Sequence, residues 1–151
     1  QRLLAFNDLF IGASSHISAR YHITFNNQTE EQSSSGLIVS TAAGSTGWLS
    51  SVFNMAYGVT GLFEKNLKPK RPKLKESELL FAVREPFQSI RTQTGITAGV
   101  IQKKNPLTVA SLMPSGGVIF SDGIETDFLK FNSGTIATIG LAPESASLVI
   151  K

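Results

Sequence analysis

The stretch Gly36-Leu37-Ile38-Val39-Ser40-Thr41-Ala42-Ala43-Gly44-Ser45-Thr46-Gly47-Trp48 carries most of the information about the fold. Its first part, Leu37 to Thr41, is apolar and rich in β-branched residues, which is typical of a buried strand. A turn of small residues follows, and a helix is predicted to begin after Gly44. Ser45 or Thr46 is the predicted N-cap, because hydroxyl side chains accept hydrogen bonds from the first helical N–H groups.

The helix is expected to end near Tyr57-Gly58. Apolar or small residues recur along it at spacings of three to four, at Trp48, Val52, Met55 and Ala56. Most of the remaining sequence predicts short strands separated by turn signals. These strands are expected at Leu3–Ile11, Ser18–Phe25, Gly36–Thr41, Leu79–Val83, Ala98–Gln102, Leu107–Leu112, Gly117–Phe120, Thr135–Leu141 and Ser147–Ile150. The sequence therefore predicts a mainly β domain with one embedded helix.

The turn before the helix has features of an anion-binding or nucleotide-binding site. A helix N-terminus presents unpaired N–H groups and the positive end of the helix dipole, so it favours phosphate or another anion. Small residues allow a ligand close to the backbone, and the ring of Trp48 is placed where it can cover a base. The Walker A spacing and its lysine are missing. The alternative is a structural turn followed by a core tryptophan.

Composition limits the possible classes of protein. The chain has 151 residues, of which 41% are hydrophobic and 17% charged, enough for one globular domain. It lacks cysteine, which excludes disulfides and Cys-based metal sites and fits a reducing compartment such as the cytoplasm. No apolar run approaches the roughly 20 residues of a membrane span. The chain does not begin with Met, and we expect it to be part of a longer protein.

Charge is concentrated in one place. The net charge of +3 comes mainly from the basic stretch Lys65 to Lys75, so it does not indicate a nucleic-acid-binding face. This stretch is predicted to be an exposed loop, with an electrostatic landing site for polyphosphate or a nucleotide as the alternative. Arg84-Glu85-Pro86 is interpreted as an ion pair before a turn, the alternative being a subunit interface. Asp122-Gly123 predicts a hairpin turn with solvated Glu125 and Asp127 beside it.

The other ionisable residues and the serines indicate neither a metal site nor a hydrolase site. His16 and His22 have no clustered carboxylates or cysteines near them in sequence, so a zinc site is not expected. Arg20 is interpreted as a surface or salt-bridge residue, with a phosphate contact as the alternative. The serines lack the Gly-x-Ser-x-Gly pattern of hydrolases.

Three segments resemble the NAD kinase family. Ala5-Phe6-Asn7-Asp8-Leu9-Phe10-Ile11-Gly12 resembles its Asn-Glu segment, and Gly36 to Trp48 resembles its strand and Gly-Ser-Thr-Ala-Tyr turn. Val118 to Gly123, followed by Leu129 to Ile139, resembles the closing hairpins of the family. Four features resemble the branch of the family that contains mitochondrial NAD kinases. They are Phe10-Ile11-Gly12, Ser34-Ser35-Gly36, Trp48 and the segment Phe81 to Pro86.

The resemblance implies a fold and a binding site. Residues 1–151 would form the β-sandwich-like, NAD-binding C-terminal domain of a two-domain protein, without its N-terminal α/β domain. Roles in NAD binding fall on Asn7, Asp8, Thr46, Gly47, Trp48 and Ser51, with Ser35, Gly44 and Ser45 as further candidates. In this scheme Asp8 holds ribose hydroxyls and Trp48 stacks near the nucleotide. The chain departs from the family where Asp8 replaces Glu, Ser35 replaces an Asp found in many bacterial members, and Gly47 replaces Ala.

The resemblance also implies an activity. The longer protein would phosphorylate the 2′-hydroxyl of the adenosine ribose of NAD, using ATP and Mg²⁺, to give NADP. The Gly-Gly-Asp-Gly-Thr motif, which supplies the base, does not occur in this sequence, so no catalytic residue is assigned and the chain alone is expected to be inactive. Expected partners are NAD, ATP, the N-terminal domain and further copies in a homo-oligomer. The alternatives are a lipid-type kinase of the same superfamily and a nucleotide-binding or assembly protein that has lost catalysis.

Overall fold

A computed structural model of the chain describes residues 1–64, 70–144 and 146. Within that part the chain forms ten strands, a short 3₁₀ helix at Gly44–Thr46 and one α-helix, α1, at Trp48–Thr60. The strands are β1 (Asp8–Ala13), β2 (Ala19–Phe25), β3 (Gln28–Ser34), β4 (Leu37–Ser40), β5 (Leu79–Val83), β6 (Ala98–Ile101), β7 (Leu107–Ser111), β8 (Gly117–Ser121), β9 (Leu129–Lys130) and β10 (Ile136–Ile139).

The strands form two antiparallel sheets. The first has the order β6-β5-β4-β1-β8-β9, and the second has the order β10-β7-β2-β3. One large apolar core contains residues of both sheets, among them Ile11 and Phe81 of the first and Tyr21 and Ile23 of the second. Side chains alternate between the faces of a strand, so each strand of the first sheet also presents a second set of residues on its other face.

Helix α1 covers that other face. All five residues of β5 are buried. Leu79, Phe81 and Val83 belong to the core between the sheets, whereas Leu80 and Ala82 cluster with residues of α1. The helical residues of this cluster are Leu49, Val52 and Phe53. Burial on both faces explains why β5 is a continuous apolar run rather than an alternating one.

The predicted mainly β fold with one helix is confirmed, and most predicted strands lie within a few residues of observed ones. The strand predicted at Leu3–Ile11 begins only at Asp8. The prediction for Ser147–Ile150 falls outside the described residues. The polar strand β3 was not predicted. It forms because Asn26 and Asn27 both have positive φ, 51° and 61°, which closes a tight turn that pairs all seven residues of β3 with β2.

The predicted helix boundaries were wrong at both ends. The N-cap is Gly47, which makes no side-chain cap bond, and Ser45 instead donates its hydroxyl to the carbonyl of Ala42 at 2.7 Å. The 3₁₀ helix therefore takes up the residues predicted to cap α1. At the other end the helix continues through Gly58 to Thr60, because Gly58 does not adopt the positive φ that ends many helices.

Candidate functional site

A cavity of about 390 Å³ lies where the start of β1, the 3₁₀ helix and the end of β8 meet. Its volume falls in the range of roughly 300–1,000 Å³ that is typical of small-molecule sites. The residues that line it are Asn7, Asp8, Ala43, Gly44, Thr46, Gly47, Trp48, Asp122 and Gly123. Segments that are far apart in sequence therefore contribute to one concave surface.

Six of the nine residues predicted to form the site line this cavity: Asn7, Asp8, Gly44, Thr46, Gly47 and Trp48. The other three do not. Ser51 is exposed on α1, and Ser35 is exposed between β3 and β4. Ser45 is half-buried, and its hydroxyl is used by the turn. The structure thus brings the two predicted motifs together but leaves these serines outside the cavity.

Thr41 joins the turn to the start of β1. Its hydroxyl donates to the carbonyl of Phe6 at 2.8 Å and accepts the N–H of Gly44 at 3.1 Å. The N–H of Thr41 donates to the carbonyl of Asn7 at 2.9 Å. Gly44 packs so closely that a Cβ there would lie 2.1 Å from the carbonyl oxygen of Asn7. Only glycine fits at this contact, which fixes the turn against the Asn7-Asp8 pair.

Asp8 is the buried acid of the cavity, with 9% of its surface exposed. Burial, and secondly the charge of the neighbouring Asp122, raise the pKa of its carboxyl group above the usual value. Asn7 is exposed beside it, and among the described residues no side chain takes up its amide. The pair therefore presents one carboxylate and one amide to a ligand.

Asp122 is a residue of the cavity that the sequence did not identify. The turn predicted at Asp122-Gly123 is present, with φ values of 52° and 74° and a hydrogen bond from the N–H of Ile124 to the carbonyl of Ser121 at 2.9 Å. The Asp122 carboxylate, however, accepts hydrogen bonds from the backbone of Phe6, Asn7 and Asp8. The predicted turn is therefore only part of the role of Asp122, because its carboxylate also binds a segment that is distant in sequence.

Trp48 has two partners within the chain. Its ring stacks on Phe10 at a centroid distance of 5.5 Å and an interplanar angle of 9°. The guanidinium carbon of Arg84 lies 5.4 Å from the centroid of the same ring, in a cation–π contact. The indole is partly buried in a cluster with Phe10, Val118 and Phe120. Trp48 therefore acts as packing for the wall of the cavity, in addition to lining it.

The charge of the cavity limits what it can bind. Among the described residues that line it, Asp8 and Asp122 are acidic and none is Lys, Arg or His. Two carboxylates without a cation repel a phosphate but accept hydrogen bonds from hydroxyl groups. This part of the cavity is therefore suited to a neutral polyol, such as a sugar, or to a cation.

The remaining ionisable residues lie outside the cavity. Arg20 forms the expected ion pair, with Glu31 at 2.9 Å, and Arg84 pairs with Glu85 at 3.6 Å. Glu125 and Asp127 are exposed, as expected. Within residues 1–64, 70–144 and 146, no three His, Cys, Asp or Glu side chains are grouped so that they could hold a metal ion.

The basic stretch is described only from Lys70 onward. Its charged residues are exposed, but the segment is attached to α1. The N–H of Lys70 donates to the hydroxyl of Tyr57 at 2.8 Å, Arg71 donates to Asn54 at 2.7 Å, and the half-buried Leu74 packs in the cluster with Leu49. No helix in the described part of the chain is long and apolar enough to cross a membrane.

No protein-family model and no curated protein matches the sequence. Solved structures do match. An NAD kinase from Archaeoglobus fulgidus in complex with ATP shares 17% identity and a TM-score of 0.61, over 93% of this chain and 47% of that one. Yeast NADH kinase complexed with NADH shares 14% identity and a TM-score of 0.55, over 89% of this chain and 34% of that one.

The chain thus spans about half the length of the first structure and a third of the second. At these identities a structural likeness establishes the fold. The chain has the mainly β fold of the C-terminal domain of NAD kinases, as the resemblance of its sequence implied.

Proposed function

We propose that this chain is the NAD-binding part of an NAD kinase, which phosphorylates the 2′-hydroxyl of the adenosine ribose of NAD with ATP to give NADP. The observation that carries the proposal is the cavity at the start of β1. It collects six residues predicted from the resemblance, in a fold shared with an NAD kinase bound to ATP and an NADH kinase bound to NADH.

The chemistry of the cavity supports a ribose at this position. The carboxylate of Asp8 accepts hydrogen bonds from sugar hydroxyls, and the amide of Asn7 offers both a donor and an acceptor beside it. Thr46 and Gly47 also line the cavity, and in this proposal they lie against the nucleotide. The absence of a cationic side chain among the described lining residues suits an uncharged sugar better than a phosphate at this point.

The chain supplies only part of the reaction. Phosphoryl transfer depends on positioning and on charge stabilisation of an in-line displacement. The Gly-Gly-Asp-Gly-Thr motif, whose Asp would be the base, is absent from the 151 residues. Among the described residues no three His, Cys, Asp or Glu side chains are grouped to hold a metal ion, so Mg²⁺ enters the proposal as the companion of ATP. We assign this chain the binding and orientation of NAD.

NADP formation by the full-length protein tests the proposal. Incubation with NAD, ATP and Mg²⁺ is expected to give a product that an NADP-specific dehydrogenase accepts, which identifies the 2′-phosphate. The 151-residue chain, assayed in parallel, is expected to form none. A folded full-length protein that forms no NADP would contradict the proposal. Phosphorylation of a lipid, or NAD binding without turnover, would then favour the lipid-type kinase or the protein that has lost catalysis.

The expected N-terminal domain, homo-oligomer and cytoplasmic location belong to the same proposal. The absence of cysteine from the sequence is compatible with a reducing compartment such as the cytoplasm.

A further inference from the structure

The carboxylate of Asp122 binds three consecutive backbone N–H groups. Its Oδ2 accepts the N–H of Phe6 at 2.9 Å, and its Oδ1 accepts those of Asn7 at 2.6 Å and Asp8 at 3.2 Å. Successive N–H groups that converge in this way form a concave anion-binding site in the backbone. Here the anion is a side chain of the protein itself.

Asp122 is also held in place by its own backbone. Its N–H donates to the carbonyl of Asp8 at 2.9 Å, which extends the pairing of β1 with β8 beyond Leu9 and Ser121. Its φ of 52° is in the left-handed region, which asparagine and aspartate tolerate better than most residues. Asp122 and Asp8 are therefore joined by hydrogen bonds in both directions.

We propose that Asp122 is a positioning residue, whose carboxylate fixes the backbone of Asn7 and Asp8 and so directs their side chains into the cavity. This inference rests on the proposed function. Phe6 and Asn7 precede β1 and are exposed, so their N–H groups have no partner in the sheet. Thr41 holds this segment through the carbonyl groups of Phe6 and Asn7, whereas the Asp122 carboxylate holds it through the N–H groups.

The two carboxylates also act on each other through their charges. Among the described residues of the cavity, Asp122 is the charged group that faces Asp8, while Asn7, Thr46 and Trp48 are uncharged. Removal of the charge at Asp122 is therefore expected to lower the pKa of the Asp8 carboxyl. A turn residue whose carboxylate pointed away from Asp8 would not produce this effect, and the amide shifts of Phe6 to Asp8 report the N–H contacts themselves.

Asp122→Asn in the full-length protein tests the inference. Asparagine keeps an oxygen for the N–H groups of Asn7 and Asp8 but loses the charge and the acceptor for Phe6. We expect KM for NAD to rise about tenfold, as hydrogen bonds to a charged acceptor are weakened, with kcat within about twofold of the wild type. Carbon-13 NMR should show a lower pKa for the carboxyl of Asp8. Asp127→Asn, the same change at an exposed residue of the same loop, should alter neither.

An unchanged KM together with an unchanged pKa of Asp8 would overturn the inference, as would equal effects from Asp127→Asn. If the wild type forms no NADP, the proposed function fails, but the pKa of Asp8 and the amide shifts of Phe6 to Asp8 still decide the role of Asp122. If Asp122→Asn does not fold, amide exchange in the wild type decides it. The N–H of Asn7 is then expected to exchange slowly, and fast exchange would contradict the inference.

Discussion

The carboxyl group of Asp8 lies where its charge is disfavoured. Burial and the charge of Asp122 both raise its pKa above the ordinary value of 3.8. A raised pKa in the folded state means that the group stabilises the fold fully only below 3.8, where it is protonated. That contribution is lost as the pH rises through the raised value. At neutral pH the ionised Asp8 thus lowers the stability of the fold, a cost that the proposed role in binding would explain.

Asp8→Asn is therefore expected to raise the stability of the fold at neutral pH while weakening NAD binding about tenfold or more, since a charged acceptor is lost. Thermal unfolding gives the stability, and calorimetric titration with NAD gives the affinity.

The stability difference between Asp8→Asn and the wild type should disappear well below pH 3.8, where the wild-type carboxyl is protonated. Asp127→Asn, at an exposed site, serves as the control and should change neither quantity. A less stable Asp8→Asn protein at neutral pH would show that the carboxylate has a structural partner.

At the residue scale, the sequence could single out Asn7, Asp8, Thr46 and Gly47, which line the cavity, because each lies within a contiguous segment that resembles a known motif. It could not reveal Asp122, whose partner Asp8 is 114 residues away and whose Asp-Gly pair has an adequate local explanation as a turn. The resemblance also implied a contact from Ser51, but Ser51 is exposed on α1 and does not line the cavity.

At the scale of elements, the backbone of Gly44 packs directly against the backbone of Asn7, and this contact fixes the turn that leads into the 3₁₀ helix. Gly44→Ala would place a methyl group 2.1 Å from the carbonyl oxygen of Asn7, so the turn or the start of β1 must move. We expect a loss of about 1–3 kcal/mol in the free energy of unfolding, typical of overpacking, and a marked loss of NAD affinity. Denaturant unfolding and NAD titration measure the two effects.

Gly58→Ala is the matched control for that substitution. A Cβ at Gly58 meets no atom within 4 Å, and the residue lies inside α1. Alanine should therefore stabilise the helix by roughly 0.5–1 kcal/mol without changing NAD affinity. Equal NAD binding by the Gly44→Ala protein and the wild type would show that the turn is not part of the site.

Elements with a clear apolar pattern were predictable, and polar ones were not. The run Leu79–Val83 gave β5 with its observed bounds. Strand β3, Gln-Thr-Glu-Glu-Gln-Ser-Ser, has no apolar alternation and is stabilised by its pairing with β2. Its buried Gln32 donates to the carbonyl of Ile96 at 3.0 Å, a tertiary contact that no local pattern contains. Gly58 predicts the end of α1, but the helix continues through it to Thr60.

At the scale of the whole molecule, the class of fold was predictable and the arrangement of the strands was not. Turn signals and strand lengths predict a mainly β domain. The pairing of β1 with β8, which aligns Leu9 with Ser121, depends on contacts across most of the chain. That pairing places Asp122 beside Asp8 and so builds one side of the cavity.

The most direct test of the central claim is a crystal structure of the full-length protein with NAD. We predict electron density for the adenosine ribose in the cavity at the start of β1, with its hydroxyls within hydrogen-bond distance of the carboxylate of Asp8 and the nucleotide against Thr46 and Gly47. NAD bound elsewhere, or bound in this cavity with the ribose away from Asp8, would contradict the account.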